Sequence, residues 1–230
     1  MDYLPIFLDI RGRNILVDGG ATAAARRIER ALSAGGNVAC FDPDPREEVR
    51  RLHGREGFTF HSRLPTLDDV KECSVVFGAS EADERDTALF EWTRITGALC
   101  NVADVTDKCD FITPSIVDRS PIVVAISTGG TAPVIARILR ARIETTLPAA
   151  YGELAKFVSG FRARIFGAIT DGRERRHFWE RLIDGPIGDL FLNGKEDAAH
   201  AQFERALSAQ TNASPREIGE VFLVGAGPGD

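Results

Sequence analysis

At 230 residues, 43% hydrophobic and 27% charged, the chain has a composition ordinary for one large or two small folded domains with a substantial core. A net charge of −6 disfavours non-specific nucleic-acid binding. No segment approaches 18 uninterrupted apolar residues, so no membrane span is expected. The opening MDYLPIFLDIRGR lacks a basic leader followed by a long apolar run, so no secretory signal is expected and the expected compartment is the cytoplasm. Cys40, Cys73, Cys100 and Cys109 show no CxxC spacing, and the four histidines show no paired spacing. That pattern argues against a disulfide framework or a structural zinc site, and for reduced, mostly buried thiols.

Short β-rich runs alternate with helical patterns through the first half. Asn14–Asp18 reads as a strand ending at glycines. Ala24, Ile28, Ala31 and Leu32 then recur at helical spacing until Gly35 and Gly36 stop the helix. Asn37–Asp42 is a second strand, followed by Pro43 and the charged helix PREEVRRL. Phe58–Arg63, Ser74–Ser80 and Ala98–Asp104 complete five strands, with EADERDTALFEWTRIT a helix before the last. Such interleaving predicts an α/β fold with a mostly parallel sheet covered on both faces.

Beyond Asp104 the pattern changes. Phe111–Val117 and Pro121–Ser127 read as strands joined by the turn-prone DRS, and STGGTAP leads into the helix VIARILRARIETTL, with Val134, Ile138 and Leu139 on one face. From Tyr151, Leu154, Phe157, Phe161 and Ile165 recur at three or four residues, predicting an all-α part to about Gln210 with a break around Asp184–Gly188. A polar linker, SAQTNASPRE, precedes VFLVGAGPGD, which opens another α/β unit. The expectation is therefore the front portion of a longer protein.

The turn after the first strand has the layout of a dinucleotide cradle. Such a turn needs a glycine for the bend, a second where backbone meets pyrophosphate, and a small third residue for close helix packing. Gly19, Ala21 and Ala24 take these places, with Gly20 between the first two. Ala21 departs from the pattern because its methyl group faces the phosphate position and disfavours positive φ. Asp42, at the end of the second strand, suits a ribose hydroxyl. Asp18 is unexpected, since a carboxylate beside a pyrophosphate repels unless it points away. Residue pattern alone leaves two readings open, a working cradle and a related unit without cofactor.

The stretch NVADVTDKCDFITPSIVDRSPIVVAISTGGTAPVIARILR resembles the precorrin-2 dehydrogenase/sirohydrochlorin ferrochelatase module of siroheme synthases. The likeness begins at MDYLPIFLDIRGRNILVDGG, runs to GRERRHFWERL, weakens through Ile183–Arg216 and returns at VFLVGAGPGD. That ending looks like the start of the uroporphyrinogen-III methyltransferase domain. The resemblance implies a Rossmann-like NAD-binding domain over 1–113, a small α+β dimerisation segment over 114–147, a helical domain over 148–216 and a truncated methyltransferase start over 217–230. It also implies oxidation of precorrin-2 to sirohydrochlorin with NAD⁺, insertion of ferrous iron to give siroheme, and a homodimer in which PSIVDRSPIVVAISTGG crosses to the partner.

Residue by residue, the resemblance makes Asp104 the catalytic aspartate of both steps, one that could briefly hold Fe²⁺ as an oxygen ligand. Thr22, Ala23, Pro43 and Asp44 match positions that touch NAD, alongside Gly19, Gly20, Ala21 and Asp42; Ser80 joins them by fold analogy. Thr128 falls where a relative carries a serine reported as phosphorylated. A macrocycle bearing several carboxylates needs donors and positive charge. Asn101, Ser127, Thr128, Gly129, Gly130 and Thr131, with Arg119 and Arg137, form the candidate substrate contacts, and Thr131 is expected to cap the helix that Pro133 begins. For each arginine the bland alternative is a solvated amphipathic helix paired with Glu144 and Asp118. For the whole chain the alternative is a tetrapyrrole-binding or chelatase-only module, impaired in NAD binding by Asp18 and Ala21, that serves a downstream methyltransferase domain.

Overall fold

The computed structural model describes residues 2–212. Two compact units divide the chain: the sequence through Ser115 with Ala125–Leu139, and Ile116–Val124 with the sequence from Arg140. The segment 114–147 is thus shared between the units.

In the first unit, strands β1 (Asn14–Asp18), β2 (Asn37–Phe41), β3 (Phe58–His61), β4 (Val75–Gly78) and β5 (Leu99–Val102) form one parallel sheet in the order β3-β2-β1-β4-β5. The order in which strands are added reverses beside β1, so the crevice outside the carboxyl ends of β1 and β4 is the switch point at which such sheets take ligands. Alternation along β1 explains the burial of both faces. Ile15 and Val17 enter one core with Ala24, Ile28 and Ala31 of helix α1 (Thr22–Ser33). Leu16 enters another with Val70 of α3 (Leu67–Lys71) and Leu89 of α4 (Asp83–Thr96). Between β2 and β3 the expected charged helix is a single turn, α2 (Glu47–Arg50). Helix α3 was not expected, because five residues are too few to show a period; a reciprocal capping box between Thr66 and Asp69 starts it. Gly97, at φ +78°, ends α4 with a left-handed cap.

Past β5 the chain doubles back, with Asn101 bridging Cys109 antiparallel. Asp110 fixes that return by accepting a hydrogen bond from the Cys100 N–H (2.8 Å) and pairing with Arg94. The expected strand from Phe111 therefore starts only at Ser115, since Phe111 packs into the first core. β6 (Ser115–Arg119) and β7 (Ile122–Ile126) pair through a turn in which the Asp118 carboxylate accepts from the Ser120 N–H and hydroxyl at 2.8 and 2.6 Å. α5 (Pro133–Thr146) follows.

The second unit is built on helices α6 (Ala150–Ala168), α7 (Gly172–Ile183), α8 (Pro186–Leu192) and α9 (Glu196–Asn212). The expected break at Asp184–Gly188 is the α7–α8 corner, where a Cβ on Gly188 would stand 1.9 Å from the Ile183 carbonyl oxygen. Phe203, fully buried, is ringed by Phe157, Phe161, Phe178 and Trp179. Ser208–Asn212 extends α9 and is not part of a polar linker, a correction to the sequence reading. The remaining linker residues and VFLVGAGPGD lie outside the described residues. Among the described residues no helix is long and apolar enough to cross a membrane.

Truncating Phe203 to alanine removes the hub of an aromatic core, and urea unfolding is expected to show a loss of about 3–5 kcal/mol. The Asp110 linkage carries a pH signature. Burial alone would raise this carboxyl, but Arg94 and the Cys100 N–H outweigh it and hold it below the usual range. A depressed folded-state value contributes stability above the unfolded value of about 4 and loses it as pH falls. Urea titrations are expected to show stability declining from about pH 5 toward 3, with a shallower decline in Asp110→Asn.

Candidate active site

The sheet register places its ligand-facing edge in one row. His61, Phe41, Asp18, Gly78 and Val102 are successive partners across the five strands, so the loops leaving β2, β1, β4 and β5 emerge side by side. Gly19 leaves β1 at φ +134°, and a Cβ there would stand 2.1 Å from the Ala79 carbonyl oxygen. Gly20 is equally constrained, since a Cβ would lie 2.6 Å from Pro45 Cα and 2.9 Å from Asp42 Cγ. Ala21 is the residue preceding α1, at φ −93° and ψ −176°. This is ordinary extended backbone, so the expected conflict between an alanine and positive φ does not arise. The first turn of α1 contains no acid, and no side chain caps it. Its free N–H groups, from Thr22 and Ala23 onward, are the donors an anion requires. Thr22 itself donates its hydroxyl to Glu48 Oε1 at 3.1 Å.

Asp42 follows β2, and its Oδ1 accepts from the Asp44 N–H at 2.9 Å, which fixes the carboxylate's direction. Asp44 pairs with Arg50 at 3.0 Å, and the Pro43 carbonyl accepts from the Ser62 hydroxyl at 3.3 Å. Asp18 is only 1% exposed and bonds to Arg85 of α4, whose guanidinium also lies 3.6 Å from Asp42. Burial pushes the Asp18 carboxyl up, against the downward pull of Arg85. Ser80 donates to Asp86 Oδ1 at 2.8 Å and accepts from the Ala82 N–H at 3.2 Å, so its hydroxyl organises the entry to α4. A donor set of uncapped helix amides with a fixed carboxylate at the end of β2 fits a dinucleotide.

Asp104 lies two residues beyond the end of β5, at φ +61°, in the left-handed region that non-glycine residues rarely occupy. Its carboxylate is exposed and accepts no hydrogen bond among the described residues. Arg27 of α1 lies within electrostatic reach of it; burial lowers the arginine's pKa while Asp104 raises it. Among the described residues the Arg27 guanidinium makes two long bonds, to Asn101 Oδ1 and the Ala23 carbonyl, both 3.3 Å, and its buried Nε has no partner. The STGG turn approaches the same place. A Cβ on Gly130 would stand 3.6 Å from Thr106 Oγ1, in the 3-10 turn Thr106–Lys108 after Asp104. One on Gly129 would stand 3.7 Å from the Tyr3 ring. Gly129 and Gly130 both have positive φ, +64° and +82°.

Several expected contacts resolve differently. Asn101 is 5% exposed, donating to the Phe111 carbonyl at 2.8 Å and accepting from Arg27 and Thr113. It anchors the chain return and is not available to a substrate. Arg119 donates to the carbonyls of Leu147, Asp118 and Glu144, which leaves its guanidinium binding the end of α5 instead of an anion. Thr128, not Thr131, serves the start of α5: Thr128 Oγ1 accepts from the Ala132 N–H at 3.2 Å, while the Thr131 hydroxyl donates to the Thr128 carbonyl at 2.6 Å. Ser127 Oγ accepts from the Gly129 N–H. Arg137 stays exposed on α5. Arg140, also on α5, pairs with Glu144 at 2.9 Å, as on a solvated amphipathic helix. The Cys109 thiol donates to the Val102 and Val105 carbonyls, and among the described residues no group of three or more His, Cys, Asp and Glu is placed to hold a metal.

Arg85 and Arg27 escaped the sequence reading. A signal existed for each. Arg85 is the lone base in a first turn otherwise carrying Asp83, Glu84 and Asp86, and Arg27 lies three residues after Ala24 and one before Ile28, on the inward side of α1.

Three family models match in succession: "Putative NAD(P)-binding" over residues 6–115, "Sirohaem biosynthesis protein central" over 119–146 and "Sirohaem synthase dimerisation region" over 150–207. The siroheme synthase of Nitrosococcus oceani is 42% identical over 230 residues, covering 100% of this chain and 48% of its own length. That of Thioalkalivibrio sulfidiphilus is 42% identical over 231 residues, covering 100% and 47%. The chain thus spans about half the length of the curated relatives it matches. A solved structure described as "SirC, precorrin-2 dehydrogenase" has the same fold, with a TM-score of 0.71 at 20% identity over 88% of this chain and 100% of that one. With three models matching in succession and this identity along its whole length, the chain belongs to the siroheme synthase family.

Proposed function

We propose that the chain oxidises precorrin-2 to sirohydrochlorin with NAD⁺ and then inserts ferrous iron to give siroheme, within a longer protein whose further portion is a uroporphyrinogen-III methyltransferase. The observation that carries the reading is Asp104: an unbonded carboxylate on strained backbone, beside a dinucleotide-type cradle in one row of strand ends. NAD⁺, when bound, supplies the hydride acceptor, and the residues to hold it are the α1 amides of Thr22 and Ala23, the turn Gly19–Ala21, and Asp42 with Pro43 and Asp44.

The chemistry asked of Asp104 is the same in both steps. Oxidation releases a proton along with the hydride, and metal entry releases the two pyrrole N–H protons; a carboxylate at the cleft accepts protons in each case. Fe²⁺ is a substrate here, and a carboxylate oxygen is a hard ligand suited to transient contact with it. The substrate carboxylates fit the STGG turn and Arg137, with Arg27 adding positive charge. Thr128 is a proposed phosphate acceptor; a phosphate there would esterify the oxygen that accepts from the Ala132 N–H and add negative charge beside an anionic substrate.

The chelatase-only reading leaned on Ala21 and Asp18. Ala21 has relaxed backbone and Asp18 is ion-paired, so neither now argues against NAD⁺.

Val134, Ile135, Ile138 and Leu139 of α5 are 58, 53, 45 and 39% exposed, an apolar face suited to a second copy of the chain. We infer a homodimer using this face; the family model described as a dimerisation region matches residues 150–207, the segment that follows α5.

Asp104→Ala is expected to abolish precorrin-2 oxidation and iron insertion, followed by absorbance, while NAD⁺ affinity by calorimetry stays within about 2-fold. Undiminished turnover removes Asp104 from the mechanism. Sedimentation is expected to give a dimer at micromolar concentration and a monomer for Ile138→Asp; a monomeric wild type refutes the dimer.

A further inference from the structure

The last residue of β1 immediately precedes the glycine turn. In a central parallel strand covered on both faces it would ordinarily be apolar, as Ile15, Leu16 and Val17 are. It is instead Asp18, almost fully buried, with Asp42 and Asp86 within electrostatic reach. One guanidinium faces these acids: Arg85 bonds to Asp18, stands 3.6 Å from Asp42, and keeps a buried Nε without a hydrogen-bond partner. Arg85 comes from the first turn of α4, across the switch point from the turn that α1 begins. The fold does not need this pair. A buried ion pair contributes little that a well-packed apolar pair would not, whereas a carboxylate left alone there would be strongly unfavourable.

The location of the pair gives it a role. A pyrophosphate brings further negative charge to a turn already bordered by Asp18 and Asp42. We propose that Arg85 is a positioning residue for the dinucleotide: by neutralising Asp18 it makes an acidic cradle able to accept a pyrophosphate, and Asp18 and Arg85 act as one unit. This rests on the dinucleotide reading given above. It also explains why an acid next to a phosphate site is tolerated.

The test is calorimetric titration of NAD⁺ into the purified wild type and the variants D18N, R85M and D18N/R85M, with thermal unfolding recorded for each. R85M is expected to bind about 10- to 100-fold more weakly, the size of an uncompensated like-charge contact at intermediate dielectric. Added salt should narrow that deficit by screening. D18N/R85M is expected within about 3-fold of wild type, because removing the acid removes the need for the base. A merely structural role would move unfolding temperature and leave affinity unchanged. Wild-type affinity in a folded R85M overturns the proposal. So does a double variant as weak as R85M, because Arg85 would then hold the ligand itself. Should R85M fail to fold, D18N/R85M is compared with D18N: equal affinity supports the proposal and a deficit in the double variant overturns it. No binding by the wild type overturns the dinucleotide reading, and this proposal with it.

Discussion

Gly19 lacks a side chain because the carbonyl of Ala79 lies where one would go. The exits of β1 and β4 are thereby brought into contact at the point where the sheet's strand order turns, and the rest of the site follows from that approach. It fixes where α1 begins and so where its uncapped amides are presented. It sets the path of the chain from Ala79 through Ser80, whose hydroxyl ties Asp86 and the entry to α4 together. Through α4 it brings Arg85 back to Asp18. The next strand in the row, β5, then delivers Asp104. One backbone contact thus aligns an anion cradle, a charge pair and a free carboxylate along a single edge.

The acids of the first unit divide by partnership. Asp69 accepts from Arg63 and Thr66, Asp110 from Arg94 and the Cys100 N–H, Asp86 from Ser80, and Asp18 from Arg85. Each does structural or electrostatic work. Asp104 alone of these five takes no hydrogen bond among the described residues and sits on left-handed backbone. Unpaired and strained is the condition expected of a carboxylate kept for a ligand.

Local pattern carried much of the architecture. The apolar runs at Ile15–Val17 and Val75–Val76, the 3.6-residue recurrence through Ala24, Ile28 and Ala31, and that of Leu154, Phe157, Phe161 and Ile165 each reveal an element because every informative residue lies within one turn or strand of the next. The turn with Asp42 was legible for the same reason, whereas Asp104 was singled out only through the family resemblance, since spacing alone reads an aspartate at a strand end as a turn former. What was not legible depends on distant partners. Arg85 meets Asp18 across 67 positions, Arg27 meets Asn101 across 74, and Arg119 meets Leu147 across 28. Asn101 and Arg119 look like ligands for a carboxylate when read in isolation; only the folded neighbourhood shows their bonds already made. Helix α3, with its five residues, is too short for any period to register.

The thiols illustrate a consequence of burial at this edge. Cys40 is pushed up to about 12 and Cys100 to about 11, chiefly by removal from water, and Cys109 donates to two carbonyls. Sulfur held in its protonated form is a poor nucleophile and a poor ligand for soft or borderline ions. Cys100 on the strand that leads to Asp104, and Cys109 beyond the turn that follows it, are therefore held as thiols, poor competitors for a cation beside the exposed Asp104 carboxylate.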